Sequence, residues 1–261
     1  MNTKTALITG ASSGIGKELA KIHASNGGDL VIVARSEDKL QALSEELKSA
    51  YNISVHIIVK DLTLPEAPKE IYDEVSSAGI VIEYLINNAG FGGVGYFYER
   101  NWEDDLAMIY LNIIALTALT RYFLPDMIER NSGRILNVSS TAALIPGPLQ
   151  AVYYATKAFV TSFSNALAQE LSQTDITVTS LMPGATETEF GRTSGMDKTS
   201  LFSDPYSADV VAKDGYQAML KGELNCITGV SFSQKISLKL APLLPTKLLL
   251  KQIFEMQKPK D

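Results

Sequence analysis

The sequence is poor in the side chains that metal centres and disulfides need. Its 261 residues include one cysteine, Cys226, and two histidines, His23 and His56. A single cysteine excludes an internal disulfide framework and a thiolate metal site. Two histidines far apart in the chain favour neither a histidine-rich metal centre nor a serine–histidine hydrolase. We therefore expect no bound metal, and we expect both histidines to be surface or core residues.

A basic excess and a long apolar run are also missing. The chain has 23 lysines and arginines against 29 aspartates and glutamates, a net charge of −6, which gives no electrostatic footprint for a nucleic-acid partner. No uninterrupted apolar run approaches the roughly 20 residues that cross a bilayer. Residues 1–4 lead into a strand-like stretch without the apolar segment of a signal peptide. These features predict a soluble, cytoplasmic protein.

Short β-branched runs alternate with longer helical patterns along the chain. The predicted strands are residues 5–9, 30–34, 55–59, 84–87, 134–139, 177–182 and 226–228. The predicted helices are residues 15–26, 37–50, 65–77, 104–130, 151–171 and 207–221. The first six strands are largely apolar, which is typical of a parallel sheet covered on both faces. The alternation predicts an α/β fold with a doubly wound parallel sheet, and two less regular regions, residues 185–205 and the tail after Phe232.

A glycine-rich turn joins the first predicted strand to the first predicted helix. Gly10, Gly14 and Gly16 stand in this turn, within the segment TGASSGIG of residues 9–16. Glycine permits a sharp turn and lets a phosphate approach backbone N–H groups, while the helix N-terminus favours its negative charge. The spacing Gly-x-x-x-Gly-x-Gly departs from the Gly-x-Gly-x-x-Gly dinucleotide fingerprint. The turn predicts nucleotide binding, with a plain strand-to-helix turn as the alternative.

A tyrosine and a lysine four residues apart provide the parts of a proton-transfer site. Tyr153 and Lys157 follow Ser140 in the sequence, and both lie in a predicted helix. A tyrosine hydroxyl releases its proton near pH 10, so an acid or base at neutral pH needs a nearby cation. Positions i and i+4 share a helix face, so Lys157 is placed to lower the pKa of Tyr153.

Taken together, these motifs resemble the classical short-chain dehydrogenase/reductase family. The likeness covers residue 3 to about residue 230 and rests on the glycine turn, Asn87-Asn88-Ala89-Gly90, Asn112, Ser139-Ser140, Tyr153-x-x-x-Lys157, and Pro183-Gly184 with Thr188. It implies a Rossmann-type fold and a nicotinamide coenzyme that interconverts carbonyl and alcohol. We predict one domain over residues 1–261, with a core at about 3–230, a substrate lid at 185–205 and an amphipathic basic extension at 233–261.

The resemblance implies a catalytic set of Asn112, Ser140, Tyr153 and Lys157. Tyr153 is expected to be the general acid during reduction, and Ser140 to stabilise the carbonyl oxygen. Lys157 is expected to lower the tyrosine pKa and to bond the nicotinamide ribose. Asn112 is expected to hold a water that links Lys157 to solvent. The alternative for Asn112 is a packed side chain that caps an internal carbonyl.

The same resemblance implies a set of coenzyme contacts. They are Gly10, Ser12, Ser13, Gly14, Ile15, Gly16, Asp61, Leu62, Asn88, Ala89, Gly90, Tyr153, Lys157, Pro183, Gly184 and Thr188. Asp61 would accept a hydrogen bond from the adenine amino group, with Leu62 beside the ring. Thr188 would approach the nicotinamide carboxamide.

The charge at the end of the second predicted strand favours NADP(H) over NAD. An acid at this position would bond the ribose 2′-hydroxyl of NAD and repel a 2′-phosphate. Here Ala34 ends the strand and Arg35 follows it, and a guanidinium suits a phosphate. The alternative is a solvated Arg35 engaged by Glu37 or Asp38.

The segments that flank the predicted catalytic residues carry no charge. Residues 91–95 and 141–149 contain neither acids nor bases, whereas an anionic substrate would normally meet an arginine or lysine. We therefore predict a small apolar carbonyl or alcohol substrate, with Tyr154 as packing or pocket wall. Arg192 and Lys198 in the predicted lid leave an anionic substrate group open.

The tail is basic within an acidic chain. Residues 235–261 contain six lysines against two acids, a local charge of +4, together with many leucines. A basic amphipathic segment can make weak contact with a membrane. The alternative is a helix packed over the substrate pocket or over a subunit interface.

The sequence thus predicts an NADP(H)-dependent oxidoreductase that reduces an apolar ketone or aldehyde, or catalyses the reverse reaction. By resemblance, the helices at 104–130 and 151–171 would pair with symmetry mates in a homodimer or homotetramer. Two alternatives stay open: an NAD-linked alcohol or hydroxysteroid dehydrogenase, and a non-catalytic nucleotide-binding regulatory protein. The intact catalytic set argues against the second, since a sensor needs no proton relay.

Overall fold

The computed structural model describes residues 4–199, 202–241 and 244–258, without the side chains of residues 198 and 239. Seven parallel strands form one sheet in the order β3-β2-β1-β4-β5-β6-β9. These strands are β1 (Thr5–Thr9), β2 (Leu30–Ala34), β3 (Val55–Val59), β4 (Ile82–Asn87), β5 (Gly133–Val138), β6 (Ile176–Pro183) and β9 (Asn225–Thr228). The predicted α/β fold class and doubly wound parallel sheet are confirmed.

Helices connect the strands. They are α1 (Gly14–Ser25), α2 (Glu37–Tyr51), α3 (Ala67–Ser77), α4 (Trp102–Ile109), α5 (Leu116–Arg130), α6 (Ala151–Glu170), α7 (Glu189–Ser194), α8 (Ala208–Lys221), α9 (Phe232–Leu240) and α10 (Thr246–Gln257). All six predicted helices are present, and their ends differ from the predicted ones by at most two residues.

Each face of the sheet has its own apolar core, as alternating strand side chains require. Ile8 of β1 packs in a core with residues of α1, α2 and α8, whereas its neighbour Leu7 packs in a core with residues of α3, α5 and α6. Both side chains are fully buried. Burial of this kind stabilises the fold by about 1.5–3 kcal/mol for each large apolar side chain. Packing of the two cores against the parallel sheet fixes the carboxyl ends of the strands along one edge of that sheet.

One long helical stretch, Trp102–Arg130, contains a widened segment. Tyr110–Ala115 is π-helical and lies between α4 and α5, a distortion that is frequent at functional sites. By length and composition the stretch could cross a membrane: its most apolar window has a mean hydropathy of 1.5 and is 39% buried. Core helices of soluble proteins meet the same criterion. Leu119, Phe123 and Met127 of α5 are buried against the sheet, and the cytoplasmic location stays a prediction.

The two regions expected to be less regular contain more structure than the sequence indicated. Residues 185–205 include α7 and the strand β7 (Thr186–Glu187), which pairs with β8 (Tyr206–Ser207). The tail forms α9 and α10. A capping box of Ser231 and Gln234 starts α9, and Pro245 precedes α10. The elements β7, β8, α7 and α9 are two to nine residues long, so the periodicity of apolar residues in the sequence indicates them only weakly.

Candidate active site

A cavity of about 1050 Å³ opens at the carboxyl ends of the strands. This edge lies beside β1 and β4, where the strand order reverses and where ligands bind in doubly wound sheets. The cavity is lined by every predicted site residue except Gly16 and Asn112. Residues distant in the sequence are therefore brought together around one space.

The glycine turn forms one end of this cavity. Gly10 and Gly14 have left-handed backbone, with φ of 66° and 53°, which favours glycine. Gly16 lies behind the cavity wall, where a Cβ atom would clash with the Gly10 carbonyl. Ser13 precedes α1 without a side-chain capping bond, so the helix N-terminus is left to attract an anion.

Asn88 and Thr9 tie the glycine turn to the end of β4. The Asn88 side-chain amide donates to the Thr9 carbonyl at 2.9 Å and to the Gly10 carbonyl at 3.3 Å. In return, the Thr9 hydroxyl accepts from the backbone N–H groups of Asn88 and Ala89, each at 3.0 Å. These bonds fix the cavity edge at Asn88, Ala89 and Gly90.

Three basic side chains, Arg35, Lys39 and Lys60, line the same cavity as the glycine turn. The Arg35 side chain is 73% exposed and lies 3.9 Å from the Asp61 carboxylate, and not against Glu37 or Asp38 as in the alternative to phosphate binding. Asp61 also accepts from the backbone and the hydroxyl of Thr63, at 2.9 and 2.8 Å. Sequence reasoning missed Lys39 and Lys60, which line the cavity here. Lys39 could have been identified from the sequence, because it lies four residues after Arg35.

The three predicted proton-transfer side chains lie together. The Ser140 hydroxyl lies close enough to Tyr153 to lower the pKa of its hydroxyl, and the Lys157 ammonium lies 5.9 Å from the centre of the Tyr153 ring. Lys157 also donates to the Val138 carbonyl at 2.8 Å. Ser139 turns away, since its hydroxyl donates to the Lys157 carbonyl at 2.8 Å. Ser140, and not Ser139, is therefore the serine whose hydroxyl acts on the tyrosine.

The pKa values differ from the expectation for this pair. Burial raises the pKa of Tyr153 to about 12, and the neighbouring Ser140 hydroxyl lowers it only in part. Burial also lowers the pKa of Lys157 to about 8. The net shift of the Tyr153 pKa is therefore upward rather than downward as expected, because desolvation disfavours the charged form of a buried group. Tyr153 keeps its proton at neutral pH.

Asn112 lies in the π-helical segment and is 1% exposed. Its amide N–H group donates to the Phe91 carbonyl at 3.0 Å and to the Thr156 hydroxyl at 3.1 Å. Its amide oxygen accepts from the Phe91 N–H at 3.2 Å. The structure thus favours the alternative of a side chain that caps an internal carbonyl. Asn112 connects the loop after β4 to α6.

Apolar side chains surround the substrate half of the cavity. Tyr153 lies 5.4 Å from Phe190 and 6.1 Å from Tyr154, between ring centres. Tyr154 is buried and lines the cavity, in agreement with its predicted place as a pocket wall. The tail supplies further lining residues, including Leu238, Leu244, Leu249, Ile253 and Met256. For the tail, the alternative of a helix over the pocket is therefore the one that the structure shows.

The predicted lid lies across the glycine turn. A Cβ atom at Gly14 would come within 2.7 Å of the Thr188 methyl group, and Glu189 pairs with Lys39 at 2.9 Å. Arg192 is 76% exposed and lies 3.9 Å from Glu189. The side chain of Lys198 and the whole of Leu201 lie outside the described residues. Among the residues described here, no cluster of acids, histidines and cysteines could hold a metal ion.

Comparison with known proteins identifies relatives over most of the chain. The family model described as short chain dehydrogenase matches residues 4–199. The very-long-chain 3-oxoacyl-CoA reductase of Mus musculus is 36% identical over 72% of this chain, which covers 61% of that enzyme's length. The chain therefore spans about three fifths of this relative.

Two solved structures show the same fold at similar identity. A short-chain dehydrogenase from Sphingobium yanoikuyae in complex with NADPH is 33% identical, with a TM-score of 0.82 and coverage of 92% of this chain and 94% of that one. The bulky-bulky ketone specific alcohol dehydrogenase from Comamonas testosteroni is 29% identical, with a TM-score of 0.79 and coverage of 93% of both chains. With these relatives and the match over residues 4–199, the chain belongs to the short-chain dehydrogenase family of oxidoreductases.

Proposed function

We propose that this protein reduces a bulky apolar ketone to a secondary alcohol, with NADPH as its coenzyme. The observation that carries the proposal is that Tyr153, Ser140 and Lys157 line one cavity whose substrate half is apolar. Arg35 lies at the far end of the same cavity. One space thus provides a proton donor, room for a large substrate and a cation for a phosphate.

The residues present fit this coenzyme. The open N-terminus of α1 and the left-handed Gly10 and Gly14 give a backbone surface for a pyrophosphate. Arg35 supplies positive charge where a 2′-phosphate would lie, whereas the nearby Lys39 and Lys60 are paired with Glu189 and Glu70, each at 2.9 Å. When bound, NADPH supplies the hydride that reduces the carbonyl carbon.

Side chains of the protein stabilise the substrate carbonyl oxygen and protonate it. The Ser140 hydroxyl is placed to donate to the substrate oxygen as negative charge grows on it. Tyr153 transfers its proton to that oxygen, so the product leaves as a neutral alcohol. The raised pKa of Tyr153, about 12, keeps the hydroxyl protonated at neutral pH, which suits reduction. The Lys157 cation, buried beside the ring, would stabilise the phenolate that proton transfer leaves.

The names of two relatives support a bulky carbonyl substrate. One is a bulky-bulky ketone specific alcohol dehydrogenase and the other a very-long-chain 3-oxoacyl-CoA reductase. In this chain the cavity wall is built from aromatic and aliphatic residues such as Phe91, Ile145 and Phe190. Such a wall favours substrates with large apolar groups on the carbonyl.

The decisive experiment is to follow NADPH oxidation with aryl ketones, long-chain ketones and 3-oxoacyl thioesters. Wild-type protein should oxidise NADPH with at least one bulky substrate. Tyr153→Phe should lower kcat by about 100-fold or more, because the proton donor is lost while the ring volume is kept. Coenzyme affinity, measured by titration calorimetry, should stay the same. A Tyr153→Phe variant with wild-type rates would refute the mechanism.

A further inference from the structure

The C-terminal helix α10 is attached to the domain through two buried residues, Ile253 and Gln257. Gln257 is fully buried, and burying an amide is costly unless it is hydrogen-bonded. Its amide N–H group donates to the Tyr154 hydroxyl at 2.7 Å, and its oxygen accepts from the Gln150 amide at 3.0 Å. Both ends of the side chain therefore have partners more than a hundred residues earlier in the chain.

These two partners flank Tyr153 at the start of α6. Gln150 precedes the helix, yet its side chain does not cap it and reaches Gln257 instead. Leu149, just before it, has left-handed backbone with φ of 66°, a strained conformation for a leucine. The Leu149 carbonyl accepts from the Gly95 N–H at 2.8 Å. The network thus joins the end of the chain to the turn that positions the proton donor.

The same helix forms part of the substrate wall. Leu249, Ile253 and Met256 of α10 line the cavity. Outside Ile253 and Gln257 the helix is partly or fully exposed, and Leu248 is 50% exposed. Its one described ion pair, Lys258 with Glu255, lies within the tail itself. The position of this wall therefore depends on the buried Ile253 and Gln257, together with the Phe254 ring, which lies 6.1 Å from the Tyr96 ring between centres.

We propose that Gln257 is a specificity-determining residue, which holds α10 against Tyr154 and Gln150 so that its apolar side chains enclose a bulky substrate. This inference rests on the proposed ketone reduction. It does not depend on which way the amides are turned, since exchanging nitrogen and oxygen in both glutamines still leaves two hydrogen bonds. Without the anchor, water enters the substrate half of the cavity, and large apolar groups lose their enclosing surface.

The test compares wild type with Gln257→Leu, which keeps the approximate volume and removes both hydrogen bonds. For a bulky aryl ketone we expect KM to rise by about tenfold, the worth of one to two hydrogen bonds. For a small aliphatic ketone, kcat should change by less than about threefold, because the proton donor is untouched. The affinity for NADPH should not change. Tyr154→Phe removes one bond and should give a smaller effect in the same direction.

A second measurement is independent of activity. Trypsin cleavage after Lys247 and Lys251, and hydrogen exchange across α10, should accelerate in Gln257→Leu as the helix is released. Gln169→Leu, the same replacement at an exposed position of α6, is the control and should behave as wild type in both assays.

The outcomes separate the two proposals. If the wild-type protein reduces no ketone, the proposed function fails, while the protection of α10 still tests the anchor. If Gln257→Leu leaves both substrate KM values and the protection of α10 unchanged, the role of Gln257 is refuted. If α10 is released but the ratio of the KM for the bulky ketone to the KM for the small ketone is unchanged, Gln257 anchors the helix without determining specificity. The inference is then refuted in that respect.

Discussion

Coenzyme choice is decided by a few side chains at the end of β2. The Arg35 side chain is 73% exposed and lies 3.9 Å from the Asp61 carboxylate, so its guanidinium is available to a 2′-phosphate. We predict that NADPH binds more tightly than NADH by about 1.5–3 kcal/mol, roughly one to two decades in affinity. Arg35→Ala should weaken NADPH and spare NADH. Ala34→Asp should go further, because a carboxylate repels the phosphate and accepts from a ribose hydroxyl.

Titration calorimetry with both coenzymes against the three proteins measures this preference. Lys39 in the same part of the cavity is paired with Glu189 at 2.9 Å, so Arg35→Ala should remove most of the NADPH preference. Equal affinities of the wild-type protein for NADPH and NADH would contradict the prediction. An Arg35→Ala variant that loses both coenzymes alike would also do so.

His23 makes the stability of the protein depend on pH. It is 2% exposed, and its two ring nitrogens contact the Lys4 carbonyl at 2.9 Å and the Tyr216 hydroxyl at 2.8 Å. A carbonyl can only accept, so Nε2 carries the proton and Nδ1 accepts from Tyr216. Burial lowers the pKa of His23. The neutral ring is thus the form that the folded protein favours.

The direction of the pH effect follows from this lowered pKa. The unfolded chain, with a histidine pKa of about 6.5, binds the proton before the folded protein does. Stability from His23 is therefore fully present above about pH 6.5 and declines as pH falls toward the lower folded pKa, by up to about 1.4 kcal/mol per pH unit. Urea unfolding at pH 7.5, 6.5 and 5.5 measures it. His23→Gln should flatten this slope; identical slopes in the wild-type protein and this variant would contradict the assignment.

At the scale of elements, α10 has two faces with different tasks. Its inner face lines the cavity, whereas Lys247, Leu248 and Lys251 are exposed. We predict that the outer face gives weak, salt-sensitive binding to vesicles that contain anionic lipid, because the Debye length falls from about 30 Å at 0.01 M to about 8 Å at 0.15 M salt. Cosedimentation of the full chain, with a Lys247→Gln/Lys251→Gln variant as the comparison, measures this. No binding by wild type at the lowest salt would refute it.

At the scale of the whole molecule, α5 and α6 leave apolar side chains in solvent. Ile114 in the π-helical segment, Ile128 of α5 and Phe159 of α6 are 45%, 48% and 39% exposed. Apolar surface on long helices is typical of a subunit contact. We predict a homodimer or homotetramer in which these helices meet those of a second copy. Light scattering at micromolar concentration should give a multiple of the monomer mass, and Ile114→Glu with Phe159→Glu should reduce it. A wild-type monomer would contradict the prediction.

The seven strands of the large sheet, the six longer helices between them and the motifs that they carry could be predicted from the sequence alone. Runs such as residues 30–34 are apolar and β-branched, and the period of Tyr153 and Lys157 is that of a helix; both are local signals that do not depend on packing. Because the carboxyl ends of parallel strands share one edge, the glycine turn and the Asn88 turn could be placed together in advance. The division of the chain into core, lid and tail stays a prediction.

Only the tertiary structure decided what each of these side chains touches. Asn112 bonds Phe91 and Thr156, and Gln257 bonds Tyr154 across 103 residues; no periodicity contains such pairings. The raised pKa of Tyr153 likewise follows from burial, which depends on how α6 packs against its surroundings. Local pattern therefore specifies the elements, whereas hydrogen bonding and desolvation between distant segments set the chemistry of the site.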